Sequence, residues 1–366
     1  MNRQRIWKAV GMAIGVLVLV SSLQLYGQQA EAGAEAAAKA ATYVVFDVPG
    51  STCEGFFPFC TTPVAINPAK TVTGFYADTN GALHGFVRAS DGTITTFDGP
   101  GATCVSPLVG SFTCTVPVGI NPAGTITGFY CDAVTCHSFL RAPDGTFTPF
   151  DPPGSVLAAA FLPPAGGINP AGAITGGYAD VNFQFHGFLR APDGTFTAFD
   201  SPGAVNGTFP SAINPAGTIT GNYEDANFVS HGFVRATDGT ITTFDLPGSS
   251  FTVVTSITPA GAIVGSYQDA ITLFVHGFLR AADGTFTTFD PPGSIQTGVS
   301  AINAAGEIVG NALGHGFLRA KDGAFTVFEP PGAVTGFTNA LAINPAGVIT
   351  GWYCSTITCQ GFLRIP

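Results

Sequence analysis

INPAGTITGNYEDANFVSHGFVRATDGTITTFDLPGS, residues Ile213–Ser249, is one full copy of a unit that the chain writes seven times. Its turn residues divide it into four short β segments. Segment a ends at Ala212-Ile213, where Asn214-Pro215-Ala216-Gly217 reverses the chain: proline pre-sets φ at the second turn position and glycine tolerates φ > 0 at the fourth. Segment b is Thr218–Tyr223, followed by a loop over Glu224–Ser230. Segment c is His231–Ala236, and Thr237-Asp238-Gly239 turns it into segment d, Thr240–Asp245. Leu246-Pro247-Gly248 closes the unit, because proline cannot donate to a ladder.

A unit of about 46 residues is too small to bury a core alone and must stack on its neighbours. The last copy breaks off after Gly361-Phe362-Leu363-Arg364, and the clause it lacks, Thr42–Gly50, stands before the first copy. Ends that complete each other fit a closed ring, whereas an open solenoid carries atypical caps. The expected fold is therefore all-β: a seven-bladed β-propeller of four-stranded blades. In it, Thr42–Asp47 pairs with Gly361–Arg364 as the outer strand of the last blade, segment a lines the channel and segment d the rim. Pairing these edges removes an aggregation hazard. A parallel β-helix is the alternative, but its coils are about half as long.

Residues 1–32 read as a secretory signal peptide. Arg3, Arg5 and Lys8 precede the uncharged apolar run Ala9–Val20, and Ala30-Glu31-Ala32 is an A-x-A cleavage pattern. The run falls short of the roughly 20 apolar residues that a membrane span needs. Residues 33–41 read as a linker and 42–366 as the propeller, with no transmembrane anchor in the mature form. Removal of 1–32 moves the net charge from -10 to -12. A chain this acidic, without a basic patch, repels phosphate backbones, which excludes nucleic acid as a partner class.

The eight cysteines fall into close pairs: Cys53/Cys60, Cys104/Cys114, Cys131/Cys136 and Cys354/Cys359. Connectivity does not follow from sequence, but proximity favours local bridges, two of them spanning b–c loops. Oxidised pairs place the protein in the periplasm or outside the cell. A metal site is the competing reading, weakened by the absence of CxxC spacing.

The recurrent INPAGxITGxYxD and HGFLRAxDGTFTxFDxPG patterns resemble the bacterial extracellular HAF repeat family over Thr42–Pro366. The resemblance implies an exported repeat protein and supplies no reaction, ligand or catalytic residue. The complementary ends are also similar to the ring closure of WD40 propellers, although WD and GH signatures are absent.

Three sets of polar residues recur. Segment c ends in Arg88, Arg141, Arg190, Arg235, Arg280, Arg319 or Arg364, and segment d ends in Asp47, Asp98, Asp151, Asp200, Asp245, Asp290 or Glu329. A residue needed in every blade is scaffold, whereas a catalytic residue is needed once. The arginines are expected to pack their stems and to bond backbone carbonyls or acids between blades. Histidine heads segment c in six copies, from His84 to His315, and Gln360 replaces it in the last. Counting outward from the x-D-G turn sets His84 opposite Asp98. That is half of a triad, but no nucleophile travels with it. Asp78, Asp132, Asp180, Asp225 and Asp269 follow segment b. They read as turn caps, with a calcium loop the weaker alternative and no other cofactor or metal implied.

The a–b and c–d turns are nearly constant and share one face. The d–a and b–c loops share the other and vary. Recognition usually sits in variable loops on a rigid scaffold, so the candidate ligand-binding residues are Phe56, Phe57, Phe59, Phe161, Phe183, Phe185, Phe228 and Phe274. Aromatics there suit sugar stacking or anchoring of a protein partner. The favoured reading is a monomeric, exported, non-catalytic binding propeller whose loops meet a glycan, an envelope component or a protein. An extracellular hydrolase or lyase acting on polysaccharide, and a calcium-stabilised adhesin, are the alternatives. The acids Glu54, Glu224 and Glu307 are too scattered to form a catalytic pair, and no catalytic residue is assigned.

Overall fold

The structure, a computed structural model, describes residues 41–52, 60–103, 115–132, 134–158, 167–356 and 358–366. It is a seven-bladed β-propeller of four-stranded antiparallel sheets, with no helix among the described residues. Blades one to six span 61–97, 115–150, 157–199, 207–244, 249–289 and 297–328. In blade four, strand a is Gly207–Ile213, b is Ile219–Glu224, c is Ser230–Arg235 and d is Ile241–Phe244. Blade seven takes its inner three strands, Thr338–Ile343, Ile349–Cys354 and Cys359–Ile365, from the end of the chain and its outer strand, Thr42–Phe46, from the other end. The register sets Thr42 opposite Ile365, Val45 opposite Phe362 and Phe46 opposite Gly361.

The a strands adjoin one another around the axis, so they are the inner strands and d the outer. Most a strands carry a bulge before their last two residues, as between Pro210 and Ala212 or Val299 and Ala301. A bulge bends the strand and tightens its twist. Blade three departs from the pattern: its described a strand is only Leu157–Ala158, with an isolated bridge between Ile168 and Ile174.

Each blade is built on a few side chains that the repeat supplies every time. The c-strand phenylalanine (Phe86, Phe139, Phe188, Phe233, Phe278, Phe317 or Phe362) is buried, as is the first apolar residue of strand b, such as Ile219 or Ile263. Burying a side chain of this size contributes roughly 1.5–3 kcal/mol. The glycine of the b strand is forced by close approach: a Cβ on Gly221 would lie 2.3 Å from the Phe209 carbonyl oxygen and 2.6 Å from the Pro210 Cα.

Contacts between blades repeat as well. Every c-strand arginine lays its guanidinium over the d-strand phenylalanine of the preceding blade, as Arg141 does over Phe97 at 4.7 Å and Arg235 over Phe199 at 5.0 Å. Arg88 does the same over Phe46, so the seam carries the same contact as the other junctions. On the inner rim, Asn344 Nδ2 donates to the Asn67 carbonyl at 3.2 Å, joining blade seven to blade one. Asn169 and Asn303 make the equivalent bond to Asn214 and Asn344.

Candidate functional site: the loop-bearing face

Strand polarity sorts the chain onto two faces. Strands a and c run toward one face, which carries the Asn-Pro-Ala-Gly and x-Asp-Gly turns. The turns there are tightly determined: Gly217 and Gly239 both have φ +91, and Asp238 Oδ1 accepts from the Thr240 amide at 2.8 Å. The other face receives the ends of strands b and d and carries the longer loops.

The loops of that face are fastened at their bases. A d–a loop amide donates to the carbonyl at the end of strand b of the blade it enters: Thr52 to Ala77, Thr103 to Cys131, Val156 to Ala179, Val205 to Glu224 and Val334 to Cys354, all between 2.8 and 3.0 Å. Neighbouring loops bond too, as Gln184 Nε2 does to the Val205 carbonyl and Thr135 Oγ1 to that of Val156. Disulfides Cys131–Cys136 and Cys354–Cys359 staple two b–c loops across directly opposed strand positions. Cys60 is also disulfide-bonded, whereas Cys53, Cys104 and Cys114 lie outside the described residues.

Beneath the loops lies a ring of histidine–carboxylate pairs. His84 Nδ1 is 2.8 Å from Asp98, His137 2.7 Å from Asp151, His186 3.0 Å from Asp200, His231 2.8 Å from Asp245, His276 2.6 Å from Asp290 and His315 2.6 Å from Glu329. In blade seven Gln360 donates to Asp47 at 2.6 Å, across the seam. In blades one to four the far ring nitrogen faces the aspartate after strand b, 3.4 Å away for His137 and Asp132. In blades one to five a tyrosine of strand b packs against the ring, Tyr223 on His231 at 4.9 Å between centroids. Burial of His137 opposes its charge, but Asp151 and Asp132 outweigh it and raise its pKa; the hydrogen bond to Glu329 raises that of His315.

The aspartates after strand b cap their own loops. Asp180 Oδ1 accepts from the Asn182 and Gln184 amides, and Asp269 Oδ1 from those of Ile271 and Thr272. These bonds favour the charged carboxylate and hold both pKa values low. Among the described residues no group of three or more His, Cys, Asp or Glu is arranged to hold a metal ion.

The loop tips are apolar. Twelve large apolar side chains are exposed among the described residues, and Val45 and Val327 lie on outer strands. The other ten all lie in b–c or d–a loops: Val134, Val181, Phe183, Val205, Ile271, Leu273, Phe274, Ile295, Leu313 and Phe337. Ile271 is 91% exposed and Val134 74%, so most of each residue is open to solvent.

Several of these tips occupy an unfavourable backbone region. Phe183, Phe228, Leu273 and Leu313 have φ of 60, 63, 60 and 50, while blade one has Gly81 at φ 78 in the equivalent turn. A side chain in this left-handed region costs roughly 1–2 kcal/mol. The half-buried Phe228 belongs to this set; Phe185 opens strand c and packs its ring 5.7 Å from Phe209. Phe56, Phe57, Phe59 and Phe161 lie outside the described residues.

One acid departs from the repeat. Glu224 ends strand b of blade four, where other blades carry alanine, cysteine or glutamine. Its carboxyl makes no hydrogen bond or ion pair among the described residues, and burial, with Asp225 beside it, pushes its pKa up to about 7.

The chain matches no protein-family model and no curated protein. Among solved structures it is similar to a streptogramin B lyase (15% identity, 88% of this chain and 98% of that one, TM-score 0.58). It is also similar to the virginiamycin B lyase of Staphylococcus aureus in a catalytically inactive form with quinupristin (14% identity, 89% and 100%, TM-score 0.59). A third is the propeller domain of the Trilobed protease from Pyrococcus furiosus, described as having an open velcro topology (9% identity, 85% and 94%, TM-score 0.57). At these identities the likeness is one of fold.

Proposed function

We propose that the protein is an exported, non-catalytic binding propeller, of the kind the HAF-like repeats suggest, whose loop-bearing face meets a macromolecular partner outside the cytoplasm. The observation that carries this reading is the sorting of apolar surface: ten exposed large side chains on the loops, against none on the turns of the opposite face among the described residues. Apolar surface gathered on one face marks an interaction site, whereas singly scattered residues do not. The loop bases are hydrogen-bonded to the blades, so little ordering entropy is lost on binding. Two cross-strand disulfides support a mature protein in an oxidising compartment.

The test is a photo-crosslinking amino acid placed at Ile271 on the loop face or at Val327 on an outer strand, in the protein secreted by its own cells. A covalent partner from position 271 but not from 327 is the expected result. Equal labelling from both positions, or none from 271, would overturn the reading.

A second reading, an extracellular hydrolase or lyase, is favoured by Glu224 alone: a half-buried carboxyl with no partner among the described residues and a pKa of about 7 is suited to general acid–base work. Turnover of a polysaccharide that disappears with Glu224→Gln would establish it. Equal turnover by both proteins would remove this carboxyl from consideration.

A further inference from the structure

The charges divide between the faces even more sharply than the apolar residues. Among the described residues the loop face holds thirteen carboxylates: seven that end the d strands, the five aspartates after strand b, and Glu224. It holds no lysine or arginine. All nine described cations, the seven c-strand arginines with Lys70 and Lys321, stand on the side of the turns, beside seven carboxylates. With histidine neutral, one face carries about -13 and the other about +2, a separation that orients an approaching charged partner before contact.

We infer that the loop face docks a cationic polypeptide that itself exposes apolar side chains, an inference that rests on the binding reading above. The apolar tips stand above the acids, so a partner must offer apolar groups to the crown and positive charge to the ring below it. A carbohydrate fits less well. Seven of the ten exposed tips are valine, isoleucine or leucine, which have no π face to stack on a sugar. An anionic lipid surface fits less well again, because thirteen carboxylates with no lysine or arginine among the described residues of that face would repel it. A second copy of this chain is disfavoured too, since two loop faces would bring like charge together.

The strained tips point the same way. A loop at φ near +60 is cheapest with glycine, and blade one uses Gly81 there. Four other blades place phenylalanine or leucine in that turn, and Phe183, Leu273 and Leu313 are exposed as well as strained. Local packing recovers little of that cost, whereas contact with an apolar partner would recover it.

The experiment measures binding of a synthetic amphipathic Leu–Lys peptide to the purified full chain by fluorescence anisotropy. A Leu–Glu peptide and a Ser–Lys peptide of the same length are run beside it, with phosphatidylcholine vesicles and a glycan array as further arms. The Leu–Lys peptide should bind about tenfold or more tightly than either control peptide, and more weakly as salt is raised. An Ile271→Ser/Leu273→Gly double variant should lose about tenfold in affinity, while Val327→Ser should lose none. Equal binding of the Leu–Glu peptide, an unaffected double variant, or preferential binding to vesicles or a glycan would overturn the inference. If the Leu–Lys peptide fails while a crosslinker at Ile271 still captures a partner, the binding face stands and the chemistry assigned to the partner falls. If both fail, both fall.

Discussion

The two faces of the ring are made by the same repeat yet obey different rules. On the turn face, Asn-Pro-Ala-Gly and x-Asp-Gly recur with the same hydrogen bonds, such as Thr93 to Asp91 and Thr285 to Asp283, because any change there would disturb strand pairing in the blade. On the loop face the bases repeat the same bond in five of the seven blades while the tips differ in length and residue. Blade six uses only Leu313-Gly314 between strands b and c, and blade five spends residues 270–274. The difference teaches that the repeat constrains what touches another strand and leaves free what touches solvent. A feature that is both free to vary and unfavourable to the fold, as the strained apolar tips are, therefore reads as function rather than scaffold.

The contrast can be broken or sharpened at several points. Deleting Thr42–Phe46 removes the outer strand of blade seven and the ring beneath Arg88. Loss of cooperative melting, or association through the opened edge in size-exclusion chromatography, is expected, and an unchanged monomeric transition would contradict the closed ring. Gly221→Ala forces a Cβ into the Phe209 carbonyl and should cost about 3 kcal/mol in denaturant unfolding. Arg235→Ala removes a buried stem and its stacking on Phe199, with an expected loss of about 2 kcal/mol.

On the loop face the sign reverses. Leu273→Gly relieves a φ of 60 and should raise stability by about 1 kcal/mol while weakening partner binding. A stabilising change that damages function is what a tip kept for recognition requires, and a destabilising one would return Leu273 to the scaffold. The smallest effect concerns the histidine ring. His137 and His315 have folded pKa values above the ordinary 6.5, so their contribution to stability is full below 6.5 and is lost as pH rises through the folded value. A His137→Gln/His315→Gln variant should flatten that decline in melting temperature. Gln360, which already bonds Asp47 in blade seven, shows that glutamine fits the position.

The ring and its seam were legible in the sequence because the end of the chain lacks the one segment that its beginning supplies, and a propeller needs every blade complete. The pairing of His84 with Asp98 was legible too, since strand register can be counted from a turn of known length. The side of the blade on which a residue packs was not. The expected packed arginine stems and bonds to backbone carbonyls are present, as Arg88 to the Ala89 carbonyl. But Arg235 meets Phe199, 36 residues earlier and in another sheet, whereas the acids also expected as partners bond histidine, as Asp245 does His231. Asn344 of blade seven reaching Asn67 of blade one lay equally beyond pattern. The tyrosine against five of the six histidines, as Tyr130 against His137, left a signal in the recurrent G-x-Y spacing of strand b that could have been followed. The strained tips left little, because phenylalanine after Asp-x-Asn looks like any loop aromatic until its φ is known.

The Gln360–Asp47 bond joins residues 313 positions apart, and that distance along the chain governs assembly. A polypeptide emerging from its N-terminus presents Thr42–Phe46 first and must keep this strand unmated until the final residues arrive. Six blades can form in passing from local hairpins, but the seventh is delayed by the closure of the whole circle. The rate-limiting event in its birth is therefore expected at a single latch, and a nascent ring is most vulnerable to proteases or to mating with a sister chain while that latch hangs open.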